Sequence, residues 1–179
     1  MATPSPSRLN PTLFDKLVAD SNISGLRGED IEKIEASREA MRYYSVPRLE
    51  RFNEASLRAT VRRELAWLLN TTHLASVIDL VDFPEVQTSV LNYGVPDMAG
   101  KSLSRRMVMQ RAREIRAAIR AFEPRIAEKS LVVDATEQRE KPNAITFLIQ
   151  GDINSALKAM PVKFRTDIEA DTAAATVRE

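Results

Sequence analysis

Cysteine is missing altogether and histidine occurs once, as His73, in a chain of 179 residues. Without cysteine there is no disulfide, no thiolate zinc site and no cysteine nucleophile, and a single histidine excludes a multi-histidine metal cluster. Long apolar runs are missing too, so no segment reads as a membrane span. The opening Met1-Ala2-Thr3-Pro4-Ser5-Pro6-Ser7-Arg8 has no apolar stretch of the kind a secretory signal needs, and a cytoplasmic protein is expected. A formal charge of +1 gives no global pull towards nucleic acid, and no internal repeat points to a solenoid or propeller. What is there is 44% hydrophobic and 28% charged, an ordinary globular composition, long enough for one domain with ragged ends.

The strongest pattern lies at 103–126. Val108, Ala112, Ile115, Ile119 and Phe122 recur at spacings of four and three, which puts them on one stripe of a helix facing a core. Ser102 or Ser104 prepares its start, and Pro124 stops it near Glu123. A carboxylate in the last turn meets the negative end of the helix dipole, so Glu123 breaks a local rule. Two readings stand: a local ion pair with Arg120 or Arg125, worth about 0–1 kcal/mol if exposed, or a functional site. Arg106, Arg113, Arg116 and Arg120 flank the stripe; without interleaved aromatics they read as a solvated face or a protein contact.

Residues 1–11 are rich in Pro and Ser and are expected to be a mobile tail. Thr12 would cap a short helix through Leu13, Phe14, Leu17 and Val18, and Ile31, Ile34, Met41 and Tyr44 suggest a weaker one that Val46-Pro47 ends. Asn53, with a Phe52–Leu57 staple, starts a strong helix buried through Leu57, Val61, Leu65 and Leu68, leaving Arg58, Arg62 and Arg63 mainly outside. Asp82 and Glu85 have capping-box spacing for a short helix carrying Val86, Val90 and Leu91, which Gly94 and Pro96 close.

Beyond Pro124 the period drops to two. Strands are expected at 131–133, through Ile145, Phe147 and Ile149, and through Val162, Phe164 and Thr166, with a polar hairpin loop at 138–143. Lys163 and Arg165 would guard a sheet edge. The Ala-rich stretch 170–179 has no pattern to fix it and is expected to be a mobile tail. Helices first and strands last predict an α+β fold, N-terminal helices packed on a small C-terminal antiparallel β-sheet in a single domain over 12–169.

Four stretches in order carry a resemblance: Glu64-Leu65-Ala66-Trp67-Leu68-Leu69-Asn70-Thr71; Phe83 through Leu91 and on to Asn92-Tyr93-Gly94-Val95-Pro96-Asp97; Phe122-Glu123-Pro124-Arg125-Ile126; and 145–151. Together they resemble the TssE family of type VI secretion baseplate subunits, which is similar to the sheath-initiating wedge protein of contractile phage tails. The resemblance spans roughly 13–169, with Thr72 and His73 where the family usually has a basic residue and a longer segment at 23–50. It implies a non-catalytic wedge subunit without cofactor at the cytoplasmic base of the apparatus. Glu123, Pro124 and Arg125 would be a protein-interaction motif holding the chain to a wedge core of TssF and TssG near TssK. Leu69, Asn70, Thr71, Asn92, Tyr93, Gly94, Pro96 and Asp97 would be structural motif positions. The strands would help to seat the first ring of the TssB and TssC sheath by strand addition at an open edge. No direct membrane insertion and no nucleic acid are implied.

Two other classes stand beside it. The family's lysozyme-like label suggests a peptidoglycan hydrolase, which needs two carboxyl groups in a sugar-sized cleft, one of them protonated. A cation beside a carboxyl favours its charged form instead. A cytoplasmic anti-adaptor-like regulatory module shares the general fold but is not expected to carry the Asn-Tyr-Gly and Glu-Pro-Arg set complete.

Overall fold

The computed structural model describes residues 54–97, 99–100, 104–136, 143–154 and 159–179. The expected tail at 1–11, the helices around Leu13 and Ile34, the Asn53 cap, the 23–50 segment and most of the 138–143 loop lie outside the described residues. The chain groups into two units, Met1–Thr60 and Val61–Glu179, the boundary falling inside the first described helix. Apart from the first turns of that helix, the features described below belong to the second unit.

Helix α1, Glu54–Leu69, buries Val61, Leu65, Leu68 and Leu69, as the three-and-four spacing predicts. Arg63 departs from that prediction, being only 9% exposed. Its guanidinium donates to Glu64 Oε1 at 2.9 Å and lies 4.9 Å from the Trp67 ring centre, so an apolar stem and a paired head let an arginine face inward.

The segment after α1 is built from short pieces: a 3-10 turn at Leu74–Ser76, helix α2 at Pro84–Gln87, and a second 3-10 turn at Val90–Asn92. The capping box expected at Asp82 is absent. Phe83 is the residue before α2 and makes no side-chain cap, while Pro84, which has no N–H to satisfy, opens the helix. Ser89 caps the second 3-10 turn instead, accepting from Leu91 N at 3.3 Å. Val90 and Leu91, expected on a buried face, are 84% and 69% exposed.

Helix α3, Arg105–Phe122, is the long stripe-bearing helix. Ser104 caps it through Met107 N, Ala112, Ile115 and Ile119 are buried, and Glu123 follows as the C-cap. Arg106, Arg113, Arg116 and Arg120 are exposed, a solvated face; Arg120 pairs with Glu128 at 2.6 Å.

Four antiparallel strands follow, β1 Val132–Thr136, β2 Ala144–Asn154, β3 Ala159–Glu169 and β4 Ala175–Arg178, in spatial order β1-β2-β3-β4. The α+β class is therefore observed. β2 and β3 pair from Ala144↔Glu169 to Asn154↔Ala159, well beyond the alternating cores that mark them in sequence. Phe147, Ile149 and Ile153 of β2 share a buried face with Phe164, Val162 and Met160 of β3. The opposite face is more polar, with Thr146 donating to Asp167 Oδ1 at 2.6 Å.

β3 is not a sheet edge along its whole length, because β4 pairs with Arg165–Ile168; Lys163 lies in the half that β4 does not reach. The expectation of an unfixed end from Ala170 is corrected here. The chain turns at Ala173, which has φ 57°, and returns as β4, with Ala175 opposite Ile168 and Val177 opposite Thr166. Asn70 at the end of α1 holds it: its side chain accepts from Ala175 N and donates to Ala175 O, both at 2.9 Å, as a neighbouring strand would.

Candidate interaction site

The Glu-Pro-Arg segment is made by a helix that has to stop. Glu123 N still reaches Ile119 O at 2.8 Å, but Pro124 cannot continue the ladder and the chain turns, Ile126 N donating to Glu123 O at 3.1 Å. The turn is then fastened to the sheet. Ala127 N donates to Asp152 O and Asn154 N donates to Arg125 O, both at 2.8 Å, with Ile126 bridged to Ile153. Gly151 makes this approach possible, because a Cβ there would stand 2.8 Å from the Ile126 side chain.

The turn folds Arg125 back over the helix end. Its Nε donates to Glu123 Oε1 at 2.6 Å and its Nη2 to Glu123 Oε2, a two-pronged grip, while Nη2 also reaches Glu64 Oε2 on α1. Arg63 closes the chain of charges on the far side of Glu64. Two acids and two arginines thus neutralise one another across the junction of α1 and α3. The dipole conflict at Glu123 is answered by this cation, and Arg120 takes no part.

Glu123 is 3% exposed, so the exposed local pair read from the sequence is replaced by a buried one. Its carboxylate is committed inside the chain and is not free to reach a neighbour. Arg125 and Glu64 are about a quarter exposed, 24% and 25% at their side chains, and Pro124 is exposed. The outward surface of the motif is therefore the rim of Arg125, Pro124 and Glu64. Burial pushes the Arg125 guanidinium down, but the hydrogen bond and charge of Glu123, with those of Glu64, outweigh it and raise it above its ordinary value.

Tyr93 packs edge-on against Phe122 with ring centres 5.3 Å apart, and its hydroxyl lies 3.5 Å from Glu64 O. Burial raises its phenol above the usual 10, and the charges of Glu64 and Glu123 push it the same way. Beside it, the Asn-Tyr-Gly and Leu-Asn-Thr stretches meet. Val95 N donates to Thr71 O at 2.9 Å, His73 N donates to Val95 O at 3.0 Å, and Gly94 with φ 127° passes so close that a Cβ would be 2.3 Å from Thr71 O. Asn92, 7% exposed, accepts from Ala75 N and donates to Gln87 O, both at 2.9 Å. Asp97 caps the next turn through Ala99 N at 3.0 Å, following Pro96. Leu69 is buried, and Thr71 donates to Trp67 O at 2.8 Å.

The structure thus gathers Glu123, Arg125 and Tyr93 into one junction and uses Asn70, Thr71, Asn92 and Gly94 to build the frame around it. Glu64 and Arg63 were missed as members. No local signal marks Glu64, since its partner lies 61 positions away. A second feature is a groove of about 910 Å³ between α3 and β1, which is an edge strand among the described residues; it is lined by Val108, Met109, Ala112 and Val132 to Thr136, with Arg105, Arg113 and Arg116 on its helical wall. Among the described residues, no cluster of three or more acidic or histidine side chains is placed to hold a metal ion, and no helix is long and apolar enough to cross a membrane.

A family model described as baseplate wedge protein gp25 matches residues 55–157, more than half of the chain. That stretch includes Glu64, Tyr93 and Glu123 to Arg125, and lies within the span of the sequence resemblance. Comparison with curated proteins and with solved structures gave no match.

Proposed function

We propose, from the premise that the chain belongs to the baseplate wedge protein gp25 family, that it is the TssE subunit of a type VI secretion baseplate. Membership supports a structural baseplate role and argues against an enzyme. In the finer reading, the subunit binds the wedge core of TssF and TssG near TssK and helps to start the TssB–TssC sheath, in the bacterial cytoplasm.

One observation carries this reading. The Glu-Pro-Arg motif is intact and folded into a fastened corner, in which the buried Glu123 holds Arg125 while about a quarter, 24%, of the Arg125 side chain stays exposed. A planar donor fixed in this way suits recognition of a partner's carboxylate or carbonyl groups, since its ordering entropy is already spent in folding. Glu123 in this reading positions Arg125 and touches no partner. β1, an edge strand among the described residues and beside the α3 groove, suits an added strand from the sheath, which would gain main-chain hydrogen bonds there.

The hydrolase reading fits this corner poorly, because Glu64 and Glu123 both accept from the same guanidinium. A general acid has to carry a proton to donate. The test is co-purification of the full chain with TssF and TssG, and separately with TssB and TssC. Capture of the core by wild type and its loss with Arg125→Ala are expected; capture of neither set by wild type overturns the assignment. Measurable release of peptidoglycan fragments would instead establish the hydrolase.

A further inference from the structure

From residue 64 to residue 100 the chain carries no lysine or arginine, yet it carries Glu64, Asp79, Asp82, Glu85 and Asp97. The same stretch exposes its large apolar side chains. Val77 is 84% exposed, Ile78 51%, Val81 74%, Phe83 57%, and Val90 and Leu91 are exposed as well. Scattered exposed apolar residues are ordinary, but six on one short segment are not. The backbone beneath them is pinned by Thr71–Val95 pairing and the Asn92 side chain, so the exposure belongs to a built surface.

This surface has a depression. Ile78, Leu80, Val81 and Pro96 on one side and Ala117, Ala118, Ala121 and Phe122 of α3 on the other enclose about 480 Å³, with Glu114 and Asp79 at the rim. The alanines leave room where larger residues would fill the gap. We propose that segment 74–97, with the Ala117-to-Phe122 side of α3, is a docking surface for a basic amphipathic helix of a partner protein.

Charge complementarity chooses the occupant. Asp79 and Glu114 in the lining of an apolar depression, with Asp82 and Glu85 on the same cation-free segment, repel nucleic acid and anionic membrane, and attract lysine or arginine beside an apolar face. A second copy related by a two-fold axis would set these acids against themselves. The secondary structure chooses a helix. The surface is made of turns and short helices and offers no run of unpaired strand edge, whereas a helix satisfies its own backbone and needs only a groove for its side chains. This surface borders the Glu123–Arg125 corner through Tyr93 and Phe122 but includes neither Glu123 nor Arg125, and it lies across α3 from the β1 groove; the proposal goes beyond the baseplate assignment.

The experiment uses the full chain and two synthetic helical peptides of about 18 residues, roughly five turns, built from Leu, Ala and Lys or from Leu, Ala and Glu. Amide shifts map the site and fluorescence anisotropy gives affinities. The Lys peptide is expected to bind about tenfold or more tighter than its Glu twin, to perturb amides within 74–97 and 117–122, and to weaken as salt rises. Ile78→Ser with Val81→Ser, and separately Asp82→Lys with Glu85→Lys, are expected to weaken it at least about fivefold while leaving thermal melting unchanged. Failure of the Lys peptide to bind overturns the proposal, as does equal binding of both peptides or indifference to the variants. Tighter binding to phosphatidylglycerol vesicles would make the surface a membrane site, and self-association abolished by these variants would make it a contact between copies; each overturns it too.

Discussion

Arg125 is held by two acids of unequal burial, and the inequality sets what each substitution should do. Glu123 is 3% exposed and takes both Nε and Nη2 of Arg125, so Glu123→Ala would leave the Arg125 guanidinium with Glu64 as its one acidic partner among the described residues. Breaking a buried pair costs roughly 3–5 kcal/mol; with Arg125 a quarter open to water, the lower end, about 3 kcal/mol, is expected in urea unfolding. Glu64→Gln keeps an acceptor and sits nearer solvent, so its cost should be about 1 kcal/mol. Equal costs would contradict this ordering. The exposed pair read from the sequence, worth about 0–1 kcal/mol, would make Glu123 cheap to remove; its burial reverses that expectation.

Tyr93 adds a pH dependence at the same corner. Its phenol titrates higher in the folded chain than the ordinary 10, so above pH 10 the unfolded chain loses this proton first. The native state then binds more protons than the unfolded one, and stability is fully present below pH 10 and falls as pH rises through the raised value. Tyr93→Phe should flatten that fall in stability measured against pH, and should remove one phenol's share of the absorbance that titrates above pH 10. A profile unchanged by the substitution would mean that the corner does not hold the phenol.

The elements were legible where their own pattern made them. The stripe of α3, its proline stop and the apolar alternation of β2 and β3 are local, and the structure places them where the spacing predicts, with β2 and β3 extended by their mutual pairing. β4 was not legible, because Ala175 to Arg178 offers only Ala175 and Val177 to an apolar face and its anchor, Asn70, lies 105 positions away. Asn70→Ala removes both side-chain bonds to Ala175 and should cost about 1–2 kcal/mol. Amide exchange at Thr176 to Arg178 should accelerate more than at the β2–β3 pairing; uniform acceleration would mean that Asn70 supports the whole sheet. Gly94→Ala attacks the other junction. Its Cβ would meet Thr71 O at 2.3 Å in a backbone with φ 127°, so a loss of about 2 kcal/mol or more is expected in thermal melting.

At the scale of the whole chain, the net charge of +1 hides a partition: no cation from 64 to 100, then six arginines within α3. Basic side chains stand on the wall of the β1 groove, while the apolar depression on the other side of the same helix has Asp79 and Glu114 in its lining and no lysine or arginine. Surfaces of different chemistry can serve different neighbours, and a baseplate subunit with separate faces for core and sheath should show separable losses. Met109→Asp with Val132→Asp changes two groove residues that are 52% and 43% exposed, so folding should be spared. These variants should still co-purify with TssF and TssG but should reduce the number of sheaths seen by fluorescence microscopy. Arg125→Ala should fail at the earlier step and lose core and sheath together, because a sheath needs an assembled base on which to start. If the groove variants lose the core, or if sheaths form in normal number, β1 is not where the sheath is seated.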